Sequence, residues 1–237
     1  MRSVAACLLL AFLAAGCAAS PAAQPGPGRP VIVLVDLSGS TEAVAPTYKT
    51  YVQKVVDSLQ GGEHLLILPI SSASLTSAAA VDLQFPAYRR LTTNTFTHNR
   101  QMKKLRLEAM AGVDTLLTAP RTAAAQRTAI IDGLLQARDL AAGRPGSIFI
   151  ISDMVEDSDL ACFETLAENE IPGVLSAVEA AGRLPQFPAN TQVHVAGLGA
   201  AGQMEPARVL AVRRFWEQLF ARAGAQLVEY GPEFHAL

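Results

Sequence analysis

The feature that most constrains this chain is Val31-Ile32-Val33-Leu34-Val35, five aliphatic residues in a row with no polar interruption. A strand with one wet face alternates apolar and polar side chains, whereas a strand covered on both faces can be apolar throughout. The run therefore reads as a central strand of a parallel sheet, with helices above and below. His64–Ile70 and Ser147–Ile151 repeat the pattern, Gln192–Leu198 and the short Gln226–Glu229 extend it, and Ala79–Phe85 reads as an edge strand stopped by Pro86.

Helical patterns fall between these runs. Tyr48–Leu59 carries the stripe Tyr51, Val52, Val55, Val56 and Leu59. His98–Leu117 and Thr128–Ala141 follow, the latter closed by Gly143 and Pro145. Asp159–Ala181 is expected to be largely helical with a kink or split at Pro172-Gly173, and Glu205–Ala223 completes the set. Strands alternating with helices predict an α/β fold with a mostly parallel sheet covered on both faces. Ligands of such sheets bind at the carboxyl ends of the strands.

The 237 residues allow one domain of ordinary size, and with 50% hydrophobic and 17% charged residues a sizeable core is available. A net charge of -2 supplies no broad basic field, so nucleic acid is not an expected partner. The cysteines, Cys7, Cys17 and Cys162, suggest no disulfide framework and no zinc spacing, and Cys162 is expected to be a small buried hydrophobe. The four histidines are scattered, without a metal-binding pair.

Residues 1–16 read as an export signal, with Arg2 ahead of the apolar Val4–Ala15. The segment Leu13-Ala14-Ala15-Gly16-Cys17 resembles a bacterial lipobox, although Ala14 stands where Leu is preferred. The resemblance implies a signal peptide over 1–16, lipidation at Cys17, a flexible Pro/Gly/Ala tether over 17–29 and a folded domain over 30–235. It further implies a lipoprotein of the bacterial cell envelope, anchored in a membrane, with Ala18 after the cysteine favouring the outer membrane facing the periplasm.

Directly after Val35 comes Asp36-Leu37-Ser38-Gly39-Ser40-Thr41. Oxygen-bearing side chains at alternate positions, leaving a buried strand through a tight turn, can converge on one point. Hard divalent cations take such a mixture of carboxylate and hydroxyl ligands. Two further segments complete the picture: Thr128 opens Thr-Ala-Ile-Ile-Asp-Gly-Leu, with Thr122 as a nearby alternative, and Asp153 follows the Ser147–Ile151 run.

Together these residues resemble the von Willebrand factor type A (VWA) domain with its metal-ion-dependent adhesion site (MIDAS), over roughly Arg29 to Tyr230. The resemblance implies a Rossmann-like fold: three layers, doubly wound, a mostly parallel sheet with one antiparallel edge strand. It implies a metal site of Asp36, Ser38, Ser40, Thr128 and Asp153 for Mg²⁺ (or Mn²⁺/Ca²⁺), with Ser38 and Ser40 as direct ligands and the two Asp mostly through water. It also implies protein binding, in which an unknown partner supplies a Glu or Asp to the metal.

Other readings stay open at this stage. No nucleophile elbow, phosphate loop or paired-Asp phosphatase motif is found, so no catalytic residue is assigned. A metal-dependent hydrolase and a scaffold with a non-functional metal site remain alternatives. Glu156, Asp157 and Asp159 read as an exposed acidic loop, and Arg100, Lys103, Lys104 and Arg106 as the solvated face of a helix or a docking surface for an acidic partner.

Overall fold

Six strands pair into one sheet in a computed structural model that describes residues 28–38, 43–120, 127–199 and 204–235. The strands are β1 (Arg29–Asp36), β2 (Glu63–Ile70), β3 (Val81–Gln84), β4 (Ser147–Ile151), β5 (Gln192–Ala196) and β6 (Gln226–Tyr230). The helices are α1 (Ala45–Ser58), α2 (Thr95–Thr118), α3 (Ile130–Ala141), α4 (Ile171–Ala180) and α5 (Pro206–Arg222). The order across the sheet is β3-β2-β1-β4-β5-β6, parallel throughout except for β3, which runs antiparallel to β2 at the edge. The fold is thus three-layer α/β, doubly wound, with the mostly parallel sheet and antiparallel edge strand expected.

The alternation along β1 explains its unbroken apolar run. Val31, Val33 and Val35 pack into the cluster that includes Tyr48, Val52 and Val56 of α1 and Met102 and Val113 of α2. Ile32 and Leu34 face the opposite cluster, with Ile130 and Leu134 of α3, Leu175 of α4 and Trp216 of α5. Every one of these β1 residues is at most 1% exposed. Burial of a large aliphatic side chain stabilises by about 1.5–3 kcal/mol, so a polar residue on either face would lose that and add a desolvation cost.

Three expectations are corrected. The segment before α4 is irregular apart from a short 3₁₀ turn, Glu168–Glu170, and Pro172 opens α4 rather than kinking a longer helix. A proline lacks the N–H that the first helical turn leaves unused, so this is its favoured helical position. Cys162 is exposed, not buried. Its neighbours Phe163 and Leu166 take the core positions instead. Glu156, expected on an exposed loop, is completely buried.

The topology also sets where a ligand can enter. From β1 the chain leaves into α1 on one face; from β4 it leaves towards α4 on the other. Because β1 and β4 are parallel neighbours, their carboxyl ends lie side by side while their connections part in opposite directions. A crevice opens at that switch point.

Candidate metal centre

Register brings the first components together. Val35 pairs with Ile151, so Asp36 at the end of β1 and Ser152 just past β4 meet across the switch point. Ser152 Oγ donates to Asp36 Oδ2 at 2.7 Å, and the Ser38 N–H donates to Oδ1 at 2.8 Å. The carboxylate, 1% exposed, is gripped on both oxygens. Ser38 itself is 4% exposed, folded back by this turn.

Asp153 follows at once and is half-buried, its Oδ1 accepting from the Val155 N–H at 3.0 Å. The next residue, Met154, has a φ of 66°, a conformation unfavourable for a side chain with a Cβ. It is held there from both sides. Its N–H donates to Ser152 Oγ at 3.0 Å, and its carbonyl accepts from the Trp216 indole at 2.9 Å. The core of α5 thereby sets the turn that carries Asp153.

Thr128 lies just ahead of α3 and is buried. The loop after β4 ties it to the same rim: the Asp157 N–H donates to the Thr128 carbonyl at 2.8 Å. Glu156 Oε2 accepts from the N–H groups of Ile130 and Ile131 at 2.8 and 3.2 Å. Helix α3 needs this, because its N-cap is Ala129, which has no side-chain acceptor. The sequence carries no signal for this, because Thr128 reads there as the start of the helix and only the structure puts Ala129 at the N-cap. Asp157 and Asp159 pair with Arg127 at the loop surface.

Burial makes negative charge costly on this rim. Burial pushes the Asp36 carboxyl up to about 6, against the pull of the Ser38 N–H and the Ser152 hydroxyl, and the Asp153 charge raises it further. Burial raises Asp153 as well. Tyr48 of α1 is fully buried, and its hydroxyl has no hydrogen-bond partner among the described residues. Its pKa is raised by burial first and then by Asp36 and Asp153, which puts the phenol in the field of both carboxylates. A buried hydroxyl without a partner costs about 1–3 kcal/mol. Among the described residues no three His, Cys, Asp or Glu side chains group as a metal cage. What the rim offers is two carboxylates, a buried Ser and a phenol without a partner among the described residues, oxygen donors of the kind hard divalent cations accept.

Of the residues singled out in the sequence, Asp36, Ser38 and Asp153 gather at the carboxyl ends of β1 and β4, and Thr128 joins them on that rim. Ser40 and Thr122 fall outside the described residues, as does the whole of 1–27 with Cys17. Glu156 and Tyr48 are the contributors that sequence reasoning missed, and the grip of Ser152 on Asp36 is legible only in the structure.

No family model and no curated protein matches the chain. Among solved structures, a von Willebrand factor type A protein from Catenulispora acidiphila aligns at a TM-score of 0.41 and 14% identity, covering 84% of this chain and 43% of that one. Proximal thread matrix protein 1 from the mussel byssus aligns at 0.37 and 14% identity, covering 83% and 48%. The human COPII-coat protein Sec24c aligns at 0.41 and 9% identity, covering 88% and 30%. The chain thus spans less than half the length of each of these proteins. Likeness at this level assigns neither a family nor a function.

Proposed function

We propose that this chain is a VWA-type binding module, tethered to a bacterial envelope membrane through Cys17, that docks an acidic group of a protein partner through a divalent cation. Asp36, Ser38, Ser40, Thr128 and Asp153 would hold the cation. A cation so held supplies an electrophilic position that a Glu or Asp carboxylate from the partner completes. The chain's own residues prepare that position. Ser152 and the Ser38 amide orient Asp36, the Trp216 indole holds the Asp153 turn, and Glu156 fixes the start of α3 behind Thr128.

The observation that carries this reading is the meeting of Asp36 and Asp153, far apart in sequence, at the switch point, in the field of a buried tyrosine hydroxyl that has no hydrogen-bond partner among the described residues. Titration calorimetry with Mg²⁺ and Mn²⁺ tests it: binding is expected in the wild type and lost in Asp36→Ala and Asp153→Ala. No heat from the wild type, with the protein folded by circular dichroism, would leave the rim a structural hydrogen-bond network. For the tether, the mass of the N-terminal peptide from native membranes is expected to show acyl chains on Cys17.

A further inference from the structure

The opposite rim of the sheet has its own character. Between Phe85 and Leu107 the chain carries Arg89, Arg90, Arg100, Lys103, Lys104 and Arg106 and no acidic residue, within a chain of net charge -2. Apart from Arg106, which donates to the backbone carbonyls of Asp57 and Leu59, none of these cations has a carboxylate or carbonyl partner for its side chain among the described residues. Among them stand two large apolar side chains in open solvent, Leu91 at 97% and Phe96 at 78% exposed.

The segment is built, not loose. Arg89 N–H donates to Thr93 Oγ1, Asn94 Oδ1 caps α2 by accepting from Thr97 N–H, Tyr88 and Thr95 share a hydrogen bond, and the Tyr88 ring packs edge-on against His98 at 5.2 Å. The N–H groups of Arg89, Thr92, Thr93, Thr97 and His98 find acceptors within the segment, so its shape is held while Leu91 and Phe96 face water, and their removal from water is favourable. Beside them a cleft of about 220 Å³ opens between Gln60, His98, Lys103 and Arg106.

Its position supplies the occupant. Because β3 is antiparallel, its end and the start of α2 lie at the amino ends of the parallel strands. Gly28, just ahead of β1, donates to the Gln84 side chain there, and Gly62 N–H donates to the Phe85 carbonyl. The chain from Cys17 to Gly28 reaches at most roughly 40 Å when fully extended. We propose that this face is a bilayer-docking surface, in which Leu91 and Phe96 enter the headgroup layer while the surrounding Arg and Lys engage anionic phospholipids. The inference rests on the tethered reading for the nearness of the membrane, and it has a consequence for that reading: with the basic rim down, the Asp36 rim faces away from the lipid and towards a partner. Bulky apolar tips ringed by basic residues fit the interface better than a protein groove would, since the tips protrude rather than line a concave pocket.

The test uses the full chain and its one tryptophan, Trp216, which is fully buried and gives a constant background. Leu91→Trp and, on the opposite rim, Thr76→Trp are mixed with vesicles of phosphatidylethanolamine and phosphatidylglycerol bearing brominated acyl chains. The expected result is quenching of the Leu91→Trp signal at least twofold beyond that of Thr76→Trp, and loss of the excess in an Arg89→Glu/Arg90→Glu/Lys103→Glu background. Equal quenching at the two positions overturns the proposal. So does an unquenched Leu91→Trp whose emission responds instead to poly-glutamate, which marks the face as a protein-docking one. The tether is read separately, by flotation with neutral phosphatidylcholine vesicles. Failure to float there, with Leu91→Trp still quenched on anionic vesicles, removes the anchor and leaves the face standing.

Discussion

At the carboxyl ends of β1 and β4, Asp36 and Glu156 are at most 1% exposed, each held by named hydrogen bonds; at the amino ends, Arg89, Arg90 and Lys103 stand in solvent beside Leu91 and Phe96. Both rims belong to one sheet, yet one hides its charge and the other displays it. A hidden carboxylate is positioned but costly, and it becomes favourable when a proton or a cation neutralises it. A displayed cation is cheap, adds little to stability and acts at a distance. The contrast separates a rim made to grip one small ligand from a rim made to meet a broad charged surface.

The strongest way to break this comparison is at Glu156. Glu156→Ala removes the acceptor for the Ile130 and Ile131 N–H groups and opens a buried cavity, so a loss on the order of 3 kcal/mol is expected in urea unfolding. The wild type also has a pH signature. Burial lifts Glu156 from 4.5 to about 8, so the folded state holds its proton more tightly than the unfolded chain. Its contribution is fully present below pH 4.5 and is lost as pH rises towards 8. Glu156→Gln, which keeps an acceptor without the charge, is expected to flatten that slope in unfolding midpoints taken across the window.

Gly197 comes next. It has a φ of 107°, and a Cβ there would come within 2.9 Å of the Ser152 carbonyl oxygen. Gly197→Ala is expected to cost about 2 kcal/mol in thermal unfolding, and to weaken metal binding by pushing on the residue that grips Asp36. At the centre itself, Asp36→Asn should leave stability nearly unchanged or raised, because the buried charge is gone, while Mg²⁺ binding by calorimetry weakens at least tenfold. Since burial pushes Asp36 up to about 6, Mg²⁺ affinity in the wild type is expected to fall as pH drops below that value. The smallest effect on folding belongs to the other rim: Arg89→Glu with Arg90→Glu should shift stability by no more than about 0.5 kcal/mol while abolishing the excess quenching of Leu91→Trp on anionic vesicles. A large stability loss there would show that the basic rim is structural after all.

Local patterns carried much of this. The unbroken Val31–Val35 run announced a strand covered on both sides, and the position of Asp36 and Ser38 immediately after it put two oxygen donors at a strand's carboxyl end before any topology was known. The helix before Pro172 failed because the acidic, glycine-free stretch from Asp159 looks helical by composition, while the chain there is pulled into irregular contacts that bury Phe163 and Leu166. Glu156 reads as solvent-facing for a similar reason. Its neighbours Asp157 and Asp159 are at the surface, and nothing local marks which of the acidic residues turns inward.

Adjacent residues were enough for the strands, for most of the helices and for the oxygen donors that follow β1 and β4, because burial on two faces and turn residues are local properties. That β1 and β4 are neighbours, that Ser152 reaches Asp36, that Glu156 caps α3, and that the Tyr48 hydroxyl is buried in the field of both aspartates with no partner among the described residues are facts of the folded chain alone. Those contacts join residues that are remote along the chain, and their energies depend on burial and register. Neither quantity exists until the sheet has closed and the helices have covered it.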